Sequence, residues 1–195
     1  MIKPFEFYFD FISPYSFLAH KEISKIEKTN SIKIKYKPIL LGGLHNLHGI
    51  KAPAFIPAKA KHMIRDCKLI AEKNNVRFKF NSYFPIRSLN LMRGVLVAEE
   101  DNFMEYYIES IFNAIWQDGL NLNDENITKK ILKNLSVNPK TFFLRISSSS
   151  IKDLLKKRTS EAYEKGVFGA PTFVCNNKIF WGQDRIGFAI NEASK

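Results

Sequence analysis

The sequence predicts an α/β domain whose strands come from both ends of the chain, interrupted by a large all-helical insertion. Three observations carry this prediction. An aromatic β-favouring run, an amphipathic segment and an alternating run follow one another up to Lys37, the order of a βαβ unit. Two short β-favouring runs joined by an Asn-Asn pair, then a helix start, close the chain as ββα. Between them, from about residue 57 to 166, apolar residues recur at helical spacing almost throughout.

Each element has its local reason. Phe5-Glu6-Phe7-Tyr8-Phe9 favours strand, and Asp10-Phe11-Ile12-Ser13-Pro14 stops it. Pro14 suits the first position of a helix and Ser13 its N-cap, with Tyr15, Leu18, Ala19, Ile23 and Ile26 on one face through to Lys28. Ile32-Lys-Ile-Lys-Tyr-Lys37 alternates strictly. Its three lysines on one face discourage pairing with another chain, which places it at a sheet edge. In the middle, Ala60, Met63, Ile64, Cys67, Ile70 and Ala71 form one helical stripe, and Phe103, Tyr107, Ile111 and Ile115 another. The run Ser147-Ser-Ser-Ser150 reads as a break, with Ser150 and Asp153 as the capping box of the next helix. Pro171-Thr-Phe-Val-Cys175 and Lys178-Ile-Phe-Trp181 read as a hairpin turned by Asn176-Asn177, and Asp184 as the start of the last helix. The expected division is residues 1–45 with 166–195 as one discontinuous domain, and 46–165 as the helical insertion.

Composition narrows the function classes. With 195 residues, 45% hydrophobic and 13% aromatic, the chain can bury a sizeable core. No apolar run approaches the roughly 18–20 residues that span a bilayer. Glu6 and Asp10 interrupt what would be the apolar core of a signal peptide, so the N-terminus reads as a mature strand. Cys67 and Cys175 are the only cysteines, which excludes a Cys-x-x-Cys pair, a zinc cluster and a disulfide scaffold. A reduced, cytoplasmic protein is expected. The formal charge is +11, but 23 of the 30 cations are lysines scattered without a long basic block or a nucleic-acid motif. That field favours small anions over nucleic acid.

Three segments can carry chemistry. Ser13-Pro14-Tyr15-Ser16 stands at a strand-to-helix turn, where backbone N–H groups and a hydroxyl favour negative charge; an ordinary N-cap followed by proline explains the same residues. Gly166-Val-Phe-Gly-Ala-Pro171-Thr172 precedes the hairpin. A cis bond at Ala170–Pro171 would offer the backbone of Ala170 to an extended peptide ligand, whereas a trans turn would not. In Trp181-Gly-Gln-Asp184-Arg185, Asp184 can cap the last helix or receive an ammonium group.

In this order and spacing, five motifs resemble the 2-hydroxychromene-2-carboxylate isomerase family: residues 9–16, Pro57-Ala-Lys59-Ala-Lys-His-Met, Phe84-Pro85, residues 166–173 and Phe180-Trp-Gly-Gln-Asp-Arg185. That family is related to kappa-class glutathione transferases within the DsbA-like branch of the thioredoxin superfamily, and the resemblance spans essentially the whole chain. It implies a thioredoxin-like domain with a helical insertion, with Ser-Pro-x-Ser standing where DsbA-like oxidoreductases carry Cys-Pro-x-Cys. Dithiol exchange is then excluded by composition, and the site is shaped for another molecule's thiol.

The resemblance implies glutathione as cofactor and a small aromatic carboxylate as substrate, within aromatic-compound catabolism. Ser13 matches the catalytic serine that hydrogen-bonds the glutathione sulfur, with Tyr15 beside it. Lys59 faces the glycyl end, Ala170 pairs with the cysteinyl backbone before a structural cis-proline at Pro171, and Trp181, Gly182, Gln183 and Asp184 hold the γ-glutamyl head. The implied reaction is thiolate addition to an activated double bond, rotation and elimination; without elimination, the same site conjugates as a kappa-like transferase. A non-catalytic DsbA-like peptide binder is a third reading, opposed by the joint presence of Ser13, Lys59 and Asp184. Tyr83, Arg87 and Trp116 are the candidates for an aromatic substrate pocket. Two departures are visible: Ile50 stands where many relatives have asparagine in a Gly-Asn-x-x-Pro segment, and Arg87 where asparagine is common after Phe-Pro. No metal site is implied, and the homodimer known in relatives is a possible assembly.

Magnitudes support the serine's role. A free thiol has a pKa of about 8.5. A hydrogen bond to a charged group contributes roughly 1.5–3 kcal/mol and a helix terminus about 0.3–1, together about one to three pKa units. Elsewhere the plainer readings hold. Cys67 lies on an apolar stripe and reads as packing, Cys175 has no catalytic role, and His45 and His48 flank a predicted loop.

Overall fold

The computed structural model describes residues 3–29 and 32–195. Met1 and Ile2 of the N-terminal segment, and Asn30 and Ser31 before the second strand, lie outside the described residues. Side chains alternate along a strand, so Phe5, Phe7 and Phe9 of β1 (Phe5–Phe9) share one face, and all three are buried. Strand β1 pairs in parallel with β2 (Ile34–Pro38) and antiparallel with β3 (Thr172–Cys175), which pairs antiparallel with β4 (Lys178–Trp181). The order β2-β1-β3-β4 puts β2 at an edge, as its lysines predict. Phe7 stands opposite Phe173 and stacks on it, ring centroids 5.3 Å apart. The two ends of the chain therefore share one sheet. Asn176 and Asn177 turn the hairpin with φ of 48° and 59°, a region asparagine enters more readily than most residues.

The helices are α1 (Pro14–Thr29), α2 (Leu41–His48), α3 (Pro57–Lys73), α4 (Leu89–Glu100), α5 (Met104–Trp116), α6 (Glu125–Asn134), α7 (Pro139–Ile146), α8 (Ser149–Glu164) and α9 (Ile186–Ala193). The Phe5–Phe7–Phe9 face of the sheet joins the large core, with Phe11, Phe17 and Phe112. On the other face a smaller core forms from Tyr8, Ile39, Leu44, Ala162 and Val167, where α2 and α8 cover the sheet. The architecture is the thioredoxin-like α/β fold with a helical insertion.

Four local expectations are corrected. The insertion is not helical throughout, because residues 74–88 form an irregular segment. Asn75, at φ 51°, turns the chain after α3, and the following apolar residues Val76, Phe78 and Phe80 recur with period two. Phe78, Phe80 and Phe84 pack around Trp116, and the Asn81 amide anchors the segment to the carbonyls of Ile115 and Leu120. His45 and His48 lie within α2 rather than beside a loop. Gly42 and Gly43 lower the helix propensity of α2, and its first turn is instead held from outside by Asp10, whose carboxylate accepts from the Leu41 N–H at 2.8 Å. The N-cap of α8 is Ser148, not Ser150: its hydroxyl accepts from Ile151 N–H and donates to the Arg145 carbonyl, serving the end of α7 and the start of α8 at once. Asp184 does not cap the last helix, since α9 begins after Arg185 without a side-chain cap.

Helices α1 and α5 are tied by a polar cluster. Buried His20 bonds the Tyr36 hydroxyl through Nδ1 (2.8 Å) and the Glu109 carboxylate through Nε2 (2.7 Å), while Lys21 and Asn113 also donate to Glu109. Hydrogen bonding from His20, with Lys21 and Asn113 adding to it, holds the Glu109 carboxyl well below the usual carboxylate range; burial pushes His20 down, toward its neutral form. Both groups have folded pKa values below their unfolded ones, so their stabilisation is present above the unfolded pKa values and is lost on acidification. Stability should therefore begin to fall as pH drops below about 6.5, the ordinary histidine value, and fall further below about 4.3. Glu109→Ala should cost about 1–3 kcal/mol at neutral pH by leaving a buried His20 donor unpaired; it should flatten the part of the acid limb below about 4.3 and steepen the part below about 6.5, because Glu109 opposes the lowering of His20. Urea melts of both proteins across pH check this; parallel pH profiles would remove the cluster from the account.

Candidate functional site

The site starts from the end of β1. Asp10 is fully buried, and its carboxylate accepts from the Ile12 N–H (3.0 Å), the Leu41 N–H and the Ser88 hydroxyl, while its carbonyl accepts from the Ser13 N–H (3.1 Å). Burial pushes its carboxyl above the ordinary value, against the pull of those donors. The result is a turn fixed from three elements that delivers Ser13 to the start of α1. Asp10 is the residue whose importance sequence reasoning missed. The available signal was an acid between an aromatic strand and Ser-Pro, which reads as an ordinary turn former until the tertiary donors are known.

Ser13 is only 6% exposed, and its hydroxyl has two partners. It accepts from the Ser16 N–H at 3.1 Å, as an N-cap does, and donates to the Ala170 carbonyl at 3.0 Å across 157 positions of sequence. The cap and the bond across to Ala170 thus coexist in one geometry. The Ala170–Pro171 bond is cis, as the motif predicts. Behind it, the buried Thr172 hydroxyl donates to the Gly169 carbonyl at 2.7 Å. Ala170 precedes β3, and among the described residues its N–H has no bonded partner.

The turn after β4 is fastened to the same place, because the Gly182 N–H donates to the Pro171 carbonyl at 3.0 Å. Gly182 adopts φ 125°, and a Cβ there would lie 2.7 Å from Asp184 Oδ1, so glycine is required. Gln183 and Asp184 follow in a short 3-10 turn (Gln183–Arg185) that packs against α1. Trp181 is half exposed, meets Phe168 at a tilt with ring centroids 5.0 Å apart, and lies over Gly169, where a Cβ would be 2.7 Å from the indole nitrogen. The Asp184 carboxylate is exposed and pairs with its neighbour Arg185 at 3.1 Å.

The fold thus brings together Ser13, Ala170, Pro171, Gly182 and the turn 183–185, all drawn from its two ends. Tyr15 adjoins Ser13, but its hydroxyl donates to Asp66 on α3 at 2.8 Å, a bond that ties α3 to α1; burial and Asp66 raise its pKa far above the ordinary range. Lys59 is exposed in the first turn of α3, about 10 Å along the helix from Asp66. That turn carries no acidic residue, so Lys59 faces the positive end of a helix dipole, where an anion would be favoured.

The expected aromatic pocket is not assembled. Trp116 is fully buried and donates its indole N–H to the Phe11 carbonyl at 2.8 Å, so it belongs to the core. Its aromatic neighbours on the irregular segment enclose it, which the sequence could not reveal. Tyr83 is half exposed on that segment, and Arg87 lies at a separate cleft between helices.

The chemistry available at the site is that of hydroxyls and backbone groups. Among the described residues Ser16 Oγ is buried without a hydrogen-bond partner. Burial pushes the Cys67 thiol up to about 12 and raises Cys175, so both are neutral, buried side chains in keeping with packing roles. Among the described residues no cluster of three His, Cys, Asp or Glu is placed to hold a metal ion, and no helix is long and apolar enough to cross a membrane.

This chain is similar to characterised proteins along its length. It is 28% identical over 190 residues to the 2-hydroxychromene-2-carboxylate isomerase of Sphingobium xenophagum, covering 96% of each chain. It is 25% identical over 195 residues to glutathione S-transferase kappa 1 of Rattus norvegicus, covering 93% of this chain and 86% of the relative. A solved 2-hydroxychromene-2-carboxylate isomerase superposes with a TM-score of 0.87 at 24% identity, over 95% of this chain and 91% of the other. A family model of the DsbA-like thioredoxin domain matches residues 5–191. The chain therefore belongs to the DsbA-like thioredoxin domain family.

Proposed function

We propose that the protein is a glutathione-dependent isomerase acting on an aromatic, carboxylate-bearing substrate of the 2-hydroxychromene-2-carboxylate type. The observation that carries this reading is the Ser13 hydroxyl at the start of α1, bonded to the carbonyl that precedes a cis-proline, in a chain with no cysteine at either Ser13 or Ser16. The relatives named isomerase and transferase support it.

The residues present fit a thiol-bearing peptide. Among the described residues the Ala170 N–H has no partner beside its carbonyl, so it can pair with an extended backbone. Lys59 and the first turn of α3 suit a carboxylate, while Asp184 and Gln183 suit an ammonium group and its neighbouring carboxylate. Glutathione, when bound, supplies a thiolate that adds to and leaves an activated carbon–carbon double bond.

Ser13 then has one proton and two acceptors. At rest it donates to Ala170; beside a thiolate, the charge-assisted bond is about twice as strong, so the hydroxyl turns to the sulfur and the Ala170 carbonyl is left for a ligand N–H. The net gain is the charged bond, roughly 1.5–3 kcal/mol, less the neutral one, about 0.5–1.5. The surplus of about 1–1.5 kcal/mol lowers a thiol by about one pKa unit. This sits at the low end of the sequence-based expectation, because the hydroxyl is not idle in the folded chain. The α1 terminus adds to it.

A kappa-like transferase is the second reading. It is favoured by one observation: Trp116 is core and Arg87 lines a different cleft, so the expected acceptor pocket is not formed by these residues. Calorimetry with reduced glutathione, followed by isomerase and conjugation assays on the same sample, tests both. We expect binding at millimolar concentration or tighter, with isomerisation and no net consumption of glutathione. Absence of binding would end both readings; consumption with adduct formation would select the transferase.

A further inference from the structure

An open groove of about 610 Å³ runs between α6 and α7. It lies apart from the site above, since neither Ser13, Ala170 nor Asp184 lines it. Most of the surface it offers is apolar, from Pro139, Phe143, Leu144 and the stems of nearby lysines. These groups are accessible. Leu144 is 67% exposed, and Phe143 and Pro139 are half-buried. A lone exposed leucine is ordinary; one set in a trough beside a second large apolar side chain is less so.

The rim carries one dominant sign of charge. Lys129 Nζ stands 5.8 Å from the centre of the Phe143 ring and 3.9 Å from Glu125, a loose pair on one helix face. Lys133, one turn further along α6, and Lys140, across the α6–α7 turn, are exposed and have no ion-pair partner among the described residues. Three cations therefore share one carboxylate, and the unpaired pair sits at the end away from it. The Asn138 side chain does not compete for a ligand, because its oxygen accepts from the Lys140 and Thr141 N–H groups at 2.9 and 3.3 Å. No acidic residue stands in the first turn of α7, so that helix end adds the same sign.

Shape and charge select the occupant. Small ligands bind where a pocket encloses most of their surface, and this groove is too open for that. A bilayer suits a convex basic and apolar face, whereas these apolar groups lie in a trough. A second copy of this chain carries +11 and is repelled. Helices α6 and α7, ten and eight residues long, offer about 12–15 Å of trough, the length of two to three helical turns. We propose that the groove is a docking surface for an acidic amphipathic helix of a partner protein. Its apolar stripe lies on Phe143 and Leu144 and its carboxylates on Lys133 and Lys140, as in helix-in-groove recognition. This surface does not depend on the glutathione reading.

The probe is a fluorescein-labelled helical peptide of about twelve residues, with leucines on one face and glutamates on the other. It is titrated into the full chain and followed by fluorescence anisotropy. We expect saturable binding with one equivalent, unchanged by saturating glutathione, and much weaker binding of a scrambled peptide of the same composition. Lys133→Glu combined with Lys140→Glu should weaken binding about tenfold or more, because like charges then face each other. Leu144→Ser should weaken it about tenfold by removing the apolar contact. Both variants alter exposed side chains, and either decides the matter should the other fail to fold. No saturable binding up to millimolar peptide, equal affinity for the scrambled peptide, or equal affinity in either folded variant would overturn the proposal. So would sedimentation with phosphatidylserine vesicles that Leu144→Ser abolishes, which would make the face a membrane surface. Dimerisation in ultracentrifugation that Leu144→Ser abolishes would make it a contact between copies and overturn the proposal equally.

Discussion

Ser13→Ala is expected to leave glutathione bound and its thiol poorly ionised. Lys59, Ala170 and Asp184 remain in the variant, so affinity should change little. The bound thiol pKa should rise by about one unit, the surplus of a charge-assisted bond over the resting bond to the Ala170 carbonyl. Turnover near pH 7 should fall up to about tenfold in step with the thiolate fraction, and should recover in part as pH is raised. The fold should lose about 0.5–2 kcal/mol because the Ser16 N–H loses its cap acceptor. Ultraviolet titration of the bound thiolate in wild type and variant separates the effects. Coincident titration curves with the stability loss intact would leave Ser13 as a cap and nothing more.

Trp116 should behave in the opposite way. Its ring is fully buried among Phe78, Phe80 and Phe84, and its N–H is held by the Phe11 carbonyl. Trp116→Ala should cost about 3–5 kcal/mol, as large-to-small changes of buried aromatics do. Trp116→Phe keeps most of the volume and gives up the hydrogen bond, a loss of about 1–3 kcal/mol with the Phe11 carbonyl left unpaired. Neither glutathione affinity nor substrate KM should move in Trp116→Phe, because the ring is fully buried and offers no surface to a ligand. Chemical denaturation and steady-state kinetics on that variant decide it. An unchanged melt with a raised KM would return Trp116 to a substrate pocket.

What the sequence determined by itself is the material governed by short-range rules. Alternation in Phe5–Phe9 and in the edge strand, Pro14 after Ser13, and the paired asparagines of the hairpin act within a few residues, through sterics and local hydrogen bonds, so they are legible in order. The cis bond at Ala170–Pro171 was different: the local residues left cis and trans open, and it was the resemblance of the whole motif that implied cis. The tertiary structure decided everything that depends on a partner distant in sequence. Asp10 became the anchor of the site because Leu41 and Ser88 come to it, and α2 formed despite two glycines because that carboxylate holds its first N–H. Ser13 gained its second partner 157 positions away, which made its hydroxyl an engaged group rather than a free one. Trp116 and Arg87, both expected at one aromatic pocket, separated into core and cleft, since burial is set by which rings and helices close over a side chain. Local patterns name a residue's backbone state; whether it meets solvent, a ligand or another side chain is fixed only when the two ends of the chain pair into one sheet.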